Sequence, residues 1–210
     1  MTVSSARDWK PQFAMSFTGL VNYLQRGMGD SGLTALNIQS SQQASILPNA
    51  REAHFRHALD GGFTHWLSLD DDMEFPADSF DRLIRHRKPV VAANYCRKIP
   101  GQASPVCSDV HHKLLDSAGR TGLEEIGRMG LGLSLVDMRA VAHVKAPRFE
   151  IRWNEADQMC CSDDVYFSDK LRAHGVRIYV DHDLSQDVRH IGDFPYHFPK
   201  REIAVAQAAE

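Results

Sequence analysis

Apolar positions recur along the chain in two alternating rhythms. "MTVSS" has the character of a short first strand. "FAMSFTGLVNYLQRG" follows at helical spacing, with Phe17, Leu20, Val21 and Leu24 on one side and Gly27 at its end. "LTALNIQSS" reads as a second strand. After Pro48, "NAREAHFRHALDGG" reads as a helix with Asn49 as its cap and Gly61–Gly62 as its stop. "FTHWLSL" is a strand of aromatic and aliphatic residues. "PADSFDRLIRHR" predicts a helix with Pro76 near its first turn and Phe80, Leu83 and Ile84 on one face. "KPVVAANYC" reads as a buried strand, and the strand–helix–strand order predicts a parallel pair.

From Arg97 to Gly122 the pattern weakens, which fits either a surface excursion or a small hairpin lobe around "SPVCSDV" and "HKLLDS". "GRMGLGLSLVD" resumes a strand after a glycine-rich approach. "MRAVAHV" is a short helix, "CCSDDVYFSDKLRAHG" a loop entering a helix, "VRIYVDH" a strand and "SQDVRHIG" a last short strand. The tail after Pro199 is expected to fray. No repeat, low-complexity tract or long linker divides the chain.

The chemistry concentrates in "HWLSLDDDMEFP", residues 65 to 76. Trp66, Leu67 and Leu69 fix a strand, so Asp70, Asp71 and Asp72 emerge at its carboxyl end, the edge where open α/β sheets present ligands. If strand geometry persists, alternation turns Asp70 and Asp72 to one side and Asp71 to the other. Two carboxylates on one side repel unless a cation sits between them, and hard oxygen ligands favour magnesium, manganese or calcium over zinc. The alternative is a solvated acidic turn whose Asp71, Glu74 and Asp78 favour the dipole of the helix after Pro76.

Composition narrows the field. The 210 residues suit one domain, and 43% hydrophobic with 24% charged residues supports a sizeable core. A formal charge of −3 without heavy basic clustering argues against a general nucleic-acid binder, and no nucleic acid is expected as a regulatory partner. No stretch approaches the roughly 18 apolar residues of a membrane span, and the N-terminal stretch carries no apolar leader core. A cytoplasmic protein is therefore expected, with peripheral membrane contact open. The basic "RLIRHRK" is either a solvated helix face or a surface for anionic lipid. Cys96, Cys107, Cys160 and Cys161 fit no zinc ribbon or finger spacing and read as reduced thiols.

Taken together, four segments resemble the GT-A glycosyltransferases, especially the inverting, family-2-like, nucleotide-sugar-dependent group. "NAREAHFRHALDGGFTHWLSLDDDMEFPADSFDRLIRHRKPVVAANYCRK" resembles that family's central segment around an Asp-x-Asp strand. "GRMGLGLSLVDMRAV" is similar to its acceptor-side strand, "SDDVYFSDKLRAHGVRIYVD" to its Glu-Asp loop and helix, and "VRHIG" to its closing histidine segment. The resemblance covers roughly residues 45 to 192, and it departs from the family where Asp163-Asp164 replaces Glu-Asp and where the first strand is short.

The resemblance implies an α/β fold of the GT-A, Rossmann-like type: a mixed, mainly parallel sheet flanked by helices in one domain. Residues 1–96 would form the nucleotide-sugar half, 97–200 the acceptor side and 201–210 a tail. It implies a divalent Mn2+ or Mg2+ held by Asp70, Asp72 and His190. The donor would be a nucleotide-diphosphate sugar, a uridine one first, contacted by Ser4, Arg51, Asp70, Asp71, Gly130 and Gly132. Asp164 would be the catalytic base, with Asp163 beside it. The acceptor would be a hydroxyl on a glycan, lipid, protein or modified nucleic acid, and the transfer would invert.

Each residue also has a plainer reading. His190 is a metal ligand or a structural histidine, with His182 and His197 as weaker candidates. Asp163 and Asp164 serve chemistry or cap a helix. Arg51 grips a diphosphate or a nearby carboxylate through paired donors, or is an exposed helical arginine. Gly130 and Gly132 let backbone approach a sugar or acceptor, or form a turn or bulge. Trp153 stacks on an acceptor or belongs to the core or a lid. Two competing functions are nucleotidyl transfer, whose glycine-rich phosphate loop is missing from "MTVSSARDWK", and a non-catalytic nucleotide- or carbohydrate-binding relative.

Overall fold

Period-two burial sorts each central strand onto two faces, and two hydrophobic clusters result. Trp66, Val90, Ala92, Val136, Ile178 and Val180 face one cluster, while Leu67, Leu69, Val91, Leu133, Leu135 and Tyr179 face the other. A computed structural model describes residues 1–4, 8–27, 33–41, 46–100, 102–155, 158–192 and 195–198. The expected fraying tail, 201–210, lies outside the described residues.

In chain order the elements are β1 (Thr2–Ser4), α1 (Pro11–Gly27), β2 (Gln39–Ser41), α2 (Leu47–Asp60), β3 (His65–Asp70), β4 (Met73–Glu74), α3 (Ser79–Ile84), β5 (Val90–Ala92) and β6 (Leu123–Ile126). There follow β7 (Leu133–Asp137), α4 (Met138–Val141), β8 (Arg152–Asn154), β9 (Met159–Cys161), α5 (Asp163–Ala173), β10 (Ile178–Asp181), α6 (His182–Ser185), β11 (Arg189–Ile191) and β12 (Pro195–Tyr196).

The central sheet has seven strands in the order β2-β1-β3-β7-β5-β10-β6. β2, β1 and β3 pair in parallel, as do β5 and β10, while β7 and β6 run antiparallel to their neighbours. The expected direct pairing of the strands flanking α3 does not occur. β3 and β5 share a direction, but β7 sits between them with Leu67 and Val91 both opposite Leu135. A buried strand from later in the chain supplies more apolar contact to both edges than two short strands would give each other.

Helices cover both faces. α2, α4 and α5 place Phe55, Val141, Phe167 and Leu171 in one cluster, and α1 and α3 place Phe13, Leu20, Leu24, Phe80 and Leu83 in the other. The rings of Phe55, Trp66, Phe149 and Phe167 meet edge-on or tilted, with centroids 4.5–6.3 Å apart. This is an α/β fold with a mixed, mainly parallel central sheet.

Several expected boundaries move. α2 begins at Leu47 behind Ile46, with Pro48 in its first turn, so Asn49 lies inside the helix and does not cap it. Its stop is as expected: the Gly61 N–H bonds the His57 carbonyl at 2.9 Å, and Gly62 turns the chain at φ 68°. The second strand is confined to Gln39–Ser41.

Residues 97–122 form an excursion without named strands, tied by isolated bridges Cys96–Pro105 and Ser108–Leu114. Asn94, fully buried, anchors it: its amide donates to the Leu115 carbonyl and to Ser117 Oγ, and its Oδ1 accepts the Cys107 N–H. The β8–β9 hairpin, β6, α6, β4 and β12 carry no periodic signal long enough to read from sequence, whereas β11 falls within the strand expected in "SQDVRHIG". The four cysteines are all free. Among the described residues, no helix is long and apolar enough to cross a membrane.

Candidate active site

The carboxyl ends of β1, β2 and β3 lie level with one another. Ser4 is in register with Ser41 on one side and with Asp70 on the other. β3 ends at Asp70, and residues 71 and 72 turn the chain into β4. The strand alternation expected through Asp72 therefore stops two residues early. The turn is fixed by backbone bonds: the Asp71 carbonyl accepts from Lys10 at 3.1 Å, and the Asp72 carbonyl accepts from Ile191 at 2.7 Å. β11 thus crosses behind the acidic turn and delivers His190 beside Asp72.

Arg51 organises the inner half of the site. α2 buries its Arg51, His54, Phe55 and Ala58 side, so this guanidinium reaches into the sheet edge at only 3% exposure. Its Nη1 donates to Asp163 Oδ1 at 2.8 Å, and its Nη2 donates to Asp70 at 3.0 and 3.2 Å. Burial opposes its charge, but Asp70, Asp163 and Asp164 outweigh burial and hold its proton more firmly than usual. Burial pushes the Asp70 carboxyl up; Arg51 pulls it back, and the charges of Asp72 and Asp164 push it further up. Arg51 thus realises the carboxylate alternative. Both of its terminal nitrogens meet carboxylates, while its Nε is buried with no hydrogen-bond partner among the described residues.

The outer half is built around Asp72. Lys98 Nζ donates to Asp72 Oδ2, and His190 Nε2 stands 3.4 Å from Asp72 Oδ1. The other nitrogen, His190 Nδ1, bonds the Cys96 carbonyl at 3.0 Å. A carbonyl only accepts, so Nδ1 carries a proton, and Nε2 is the ring nitrogen that stands toward Asp72. Burial works to raise the Asp72 carboxyl, but His190 and Lys98 win and hold it below the usual range. Asp72 Oδ1 is buried and accepts no hydrogen bond among the described residues.

That buried oxygen, with an imidazole nitrogen 3.4 Å away, is an arrangement a divalent cation could bridge. The donor set is smaller than expected. Asp70 belongs to Arg51, and among the described residues no group of three or more His, Cys, Asp or Glu side chains gathers as a metal site. The expected trio of Asp70, Asp72 and His190 is thereby reduced to a pair, Asp72 and His190. One or two protein ligands completed by substrate phosphates is an ordinary shell for magnesium.

Asp163 and Asp164 open α5 behind Ser162, which is its cap position. Asp163 is buried and tied to Arg51, and its Oδ2 has no hydrogen-bond partner among the described residues. Asp164 is partly exposed; its Oδ1 accepts from Ser162 Oγ and from the Val165 N–H at 2.8 Å. Asp164 lies near enough for its charge to raise both the Asp70 carboxyl and the Tyr95 phenol.

Tyr95 escaped the sequence reading. Its hydroxyl accepts the Gly132 N–H at 3.0 Å, and its ring stands edge-on to His190 at 5.2 Å. Burial, then Asp70 and Asp164, push its phenol well above the ordinary value, so it stays protonated. A Cβ at Gly130 would lie 2.4 Å from the Tyr95 oxygen, and one at Gly132 would lie 2.7 Å from it. The close approach these glycines permit is that of the Tyr95 ring. "GRMGLG" carried the demand for small residues, but nothing local named the ring that imposes it.

Other expected residues separate clearly. Ser4 is buried, and its Oγ, like that of Ser41, has no partner among the described residues. His182 is a buried structural bridge between Ser117 and Glu124, and His197 is exposed, its Nδ1 against the Phe198 carbonyl. Trp153 projects from the β8–β9 hairpin at 54% exposure and is neither core nor buried lid. A cavity of about 190 Å³ lined by Leu36, Asn37, Thr64, His65, Leu67 and Ile84 lies at the opposite edge of the sheet, where β3 begins.

No family model matches the chain, and no curated protein matches it in sequence. Among solved structures it is similar to A197 from STIV, with a TM-score of 0.60 at 15% identity, covering 95% of this chain and 93% of that one. At that identity the likeness establishes a shared α/β fold over nearly the whole length of both chains.

Proposed function

We propose that the chain is a glycosyltransferase that moves a sugar from a nucleotide-diphosphate sugar, a uridine one first, to an acceptor hydroxyl with inversion. The observation that carries this reading is the buried Asp72 Oδ1, without a hydrogen bond among the described residues and 3.4 Å from His190 Nε2, with the Asp164 carboxylate close by, at the carboxyl edge of the parallel strands. Asp72 and His190 would hold Mn2+ or Mg2+, which when bound neutralises charge on a leaving diphosphate.

The protein's own groups divide the remaining work. Asp164 takes the proton of the attacking hydroxyl as its oxygen closes on the anomeric carbon. Arg51 fixes Asp70 and Asp163 so that Asp164, the next residue, starts α5 in one position. The partnerless hydroxyls of Ser4 and Ser41, level with Asp70, suit the ribose and base of the donor. The exposed Trp153 ring and the 97–122 excursion border the acceptor side.

The test is a thermal-shift screen of nucleotide sugars with and without Mn2+, followed by transfer assays on glycan and lipid acceptors. Stabilisation that needs both sugar nucleotide and metal supports the reading. Asp164→Asn should abolish transfer and keep metal-assisted nucleotide binding. An absence of stabilisation by every combination would refute the assignment.

A further inference from the structure

Lys98 has no place in the chemistry above, yet it occupies the best-defined acidic position in the site. Its ammonium donates to Asp72 Oδ2, leaving only Oδ1 of that carboxylate open. The lysine stem passes Gly192, where a Cβ would come 2.9 Å from Tyr196 Cε2, 3.3 Å from Lys98 Cδ and 3.6 Å from Lys98 Cγ. Lys98 is also two residues from Cys96, whose carbonyl orients His190. One short segment therefore presents both the imidazole and the ammonium to Asp72. The segment is tied by backbone: the Arg97 N–H bonds the Ser104 carbonyl at 2.7 Å, the Ile99 N–H bonds the Arg97 carbonyl at 2.8 Å, and Cys96 bridges Pro105. Lys98 retains 32% side-chain exposure, so its head is free to swing.

The charge balance gives this contact a purpose. Among the described residues, four acidic side chains, Asp70, Asp72, Asp163 and Asp164, gather against Arg51, Lys98 and the His190 ring, so acidic groups outnumber basic ones. A divalent cation would reduce that excess. It would also sit against the ammonium on the same carboxylate, and a bound diphosphate would then add fresh negative charge a few ångströms away. Repulsion from the ion and attraction to the phosphate act on Lys98 in the same direction.

We propose that Lys98 is an exchangeable counter-ion: it holds Asp72 in the resting site, yields to the divalent ion, and passes to the diphosphate of the donor. The inference rests on the glycosyltransferase reading and assigns a donor-binding residue within it.

The test uses the full chain, Mn2+ alone, and UDP at saturating Mn2+. Manganese binding is followed by the loss of the free-ion electron-spin-resonance signal, and UDP binding by calorimetry. Lys98→Met removes the competitor, so it should bind Mn2+ roughly five- to tenfold more tightly without nucleotide. With Mn2+ saturating, it should bind UDP more weakly by a similar factor. Lys98→Arg keeps the charge and should retain manganese affinity near that of the unaltered protein. Unchanged or weaker Mn2+ binding by Lys98→Met overturns the exchange while leaving the metal site standing. UDP binding indifferent to Lys98→Met removes the diphosphate role. Failure of both proteins to bind Mn2+, with or without UDP, overturns the metal reading and the exchange together.

Discussion

Replacing Arg51 with methionine removes the one cation that joins Asp70 to Asp163. Methionine keeps much of the apolar stem, so the change is chiefly electrostatic. Asp163 has a side chain 6% exposed and Asp70 one 22% exposed, so Asp163 has little access to rehydration. Breaking one side of a buried ion pair destabilises by about 3–5 kcal/mol, a large share of the roughly 5–15 kcal/mol that holds a domain together. For a chain of this size that corresponds to a fall of roughly 6–20 °C in Tm.

The pH dependence separates this cause from a simple packing defect. In Arg51→Met the abandoned carboxylates prefer to be protonated when folded, so the folded state binds more protons than the unfolded one above the ordinary carboxylate range. Stability then falls as pH rises, and the penalty should shrink by at least about 1 kcal/mol between pH 7.5 and pH 5. Urea denaturation of both proteins at the two pH values reads it directly. The double variant Arg51→Met/Asp163→Asn should recover much of the loss at pH 7.5. A penalty under about 1 kcal/mol, or one equal at both pH values, would refute the account of Arg51 as a buried bridge.

Two further outcomes follow from other parts of the structure. Gly132→Ala would place a methyl 2.7 Å from the Tyr95 oxygen, 2.9 Å from Cζ and 3.0 Å from Met73 Sδ, so it should destabilise by about 1–3 kcal/mol in urea melts. Adding Tyr95→Phe should return part of that loss, and no recovery would point to a different clash. His54 is lowered to about 4, first by burial and then by neighbouring positive charge, so its neutral form is the folded one. The unfolded chain takes up that proton first, so stability should fall on acidification from about pH 6.5 toward pH 4, by up to roughly 2–3 kcal/mol. His54→Gln should flatten that limb of the pH profile, and an unchanged slope would assign it to other groups.

The two halves of the site solve the same problem differently. Asp70 and Asp163 are compensated by a buried, planar guanidinium that meets both at once, which suits a permanent brace. Asp72 is compensated by a half-exposed ammonium on a flexible stem and by an imidazole, both of which can change partner. Rigidity is thus placed under the proposed base and adaptability at the proposed metal and diphosphate. The partly exposed Asp164 sits between them.

Much of the architecture was legible because its signals are local. The helical spacing of Leu20 and Leu24, the apolar run through Trp66 to Leu69 and the Gly61–Gly62 stop each follow from neighbours a few residues apart. So did the placement of the aspartates at the end of β3 and at the start of α5. Contacts between distant residues were not written in any such period. Arg51 meets Asp163 across 112 residues, Lys98 meets Asp72 across 26, and Gly132 meets Tyr95 across 37.

By itself, then, the sequence determined where the longer strands and helices form and which of their ends carry carboxylates, because backbone propensity and apolar spacing act over a turn or a pleat. Only the tertiary structure decided that β7 enters between β3 and β5, and that Arg51 joins Asp70 to Asp163. It alone gave Gly132 to Tyr95 and Asp72 to Lys98. Those outcomes depend on which buried surfaces and charges meet when the sheet closes, and burial turns such meetings into strong preferences that no short window of residues contains.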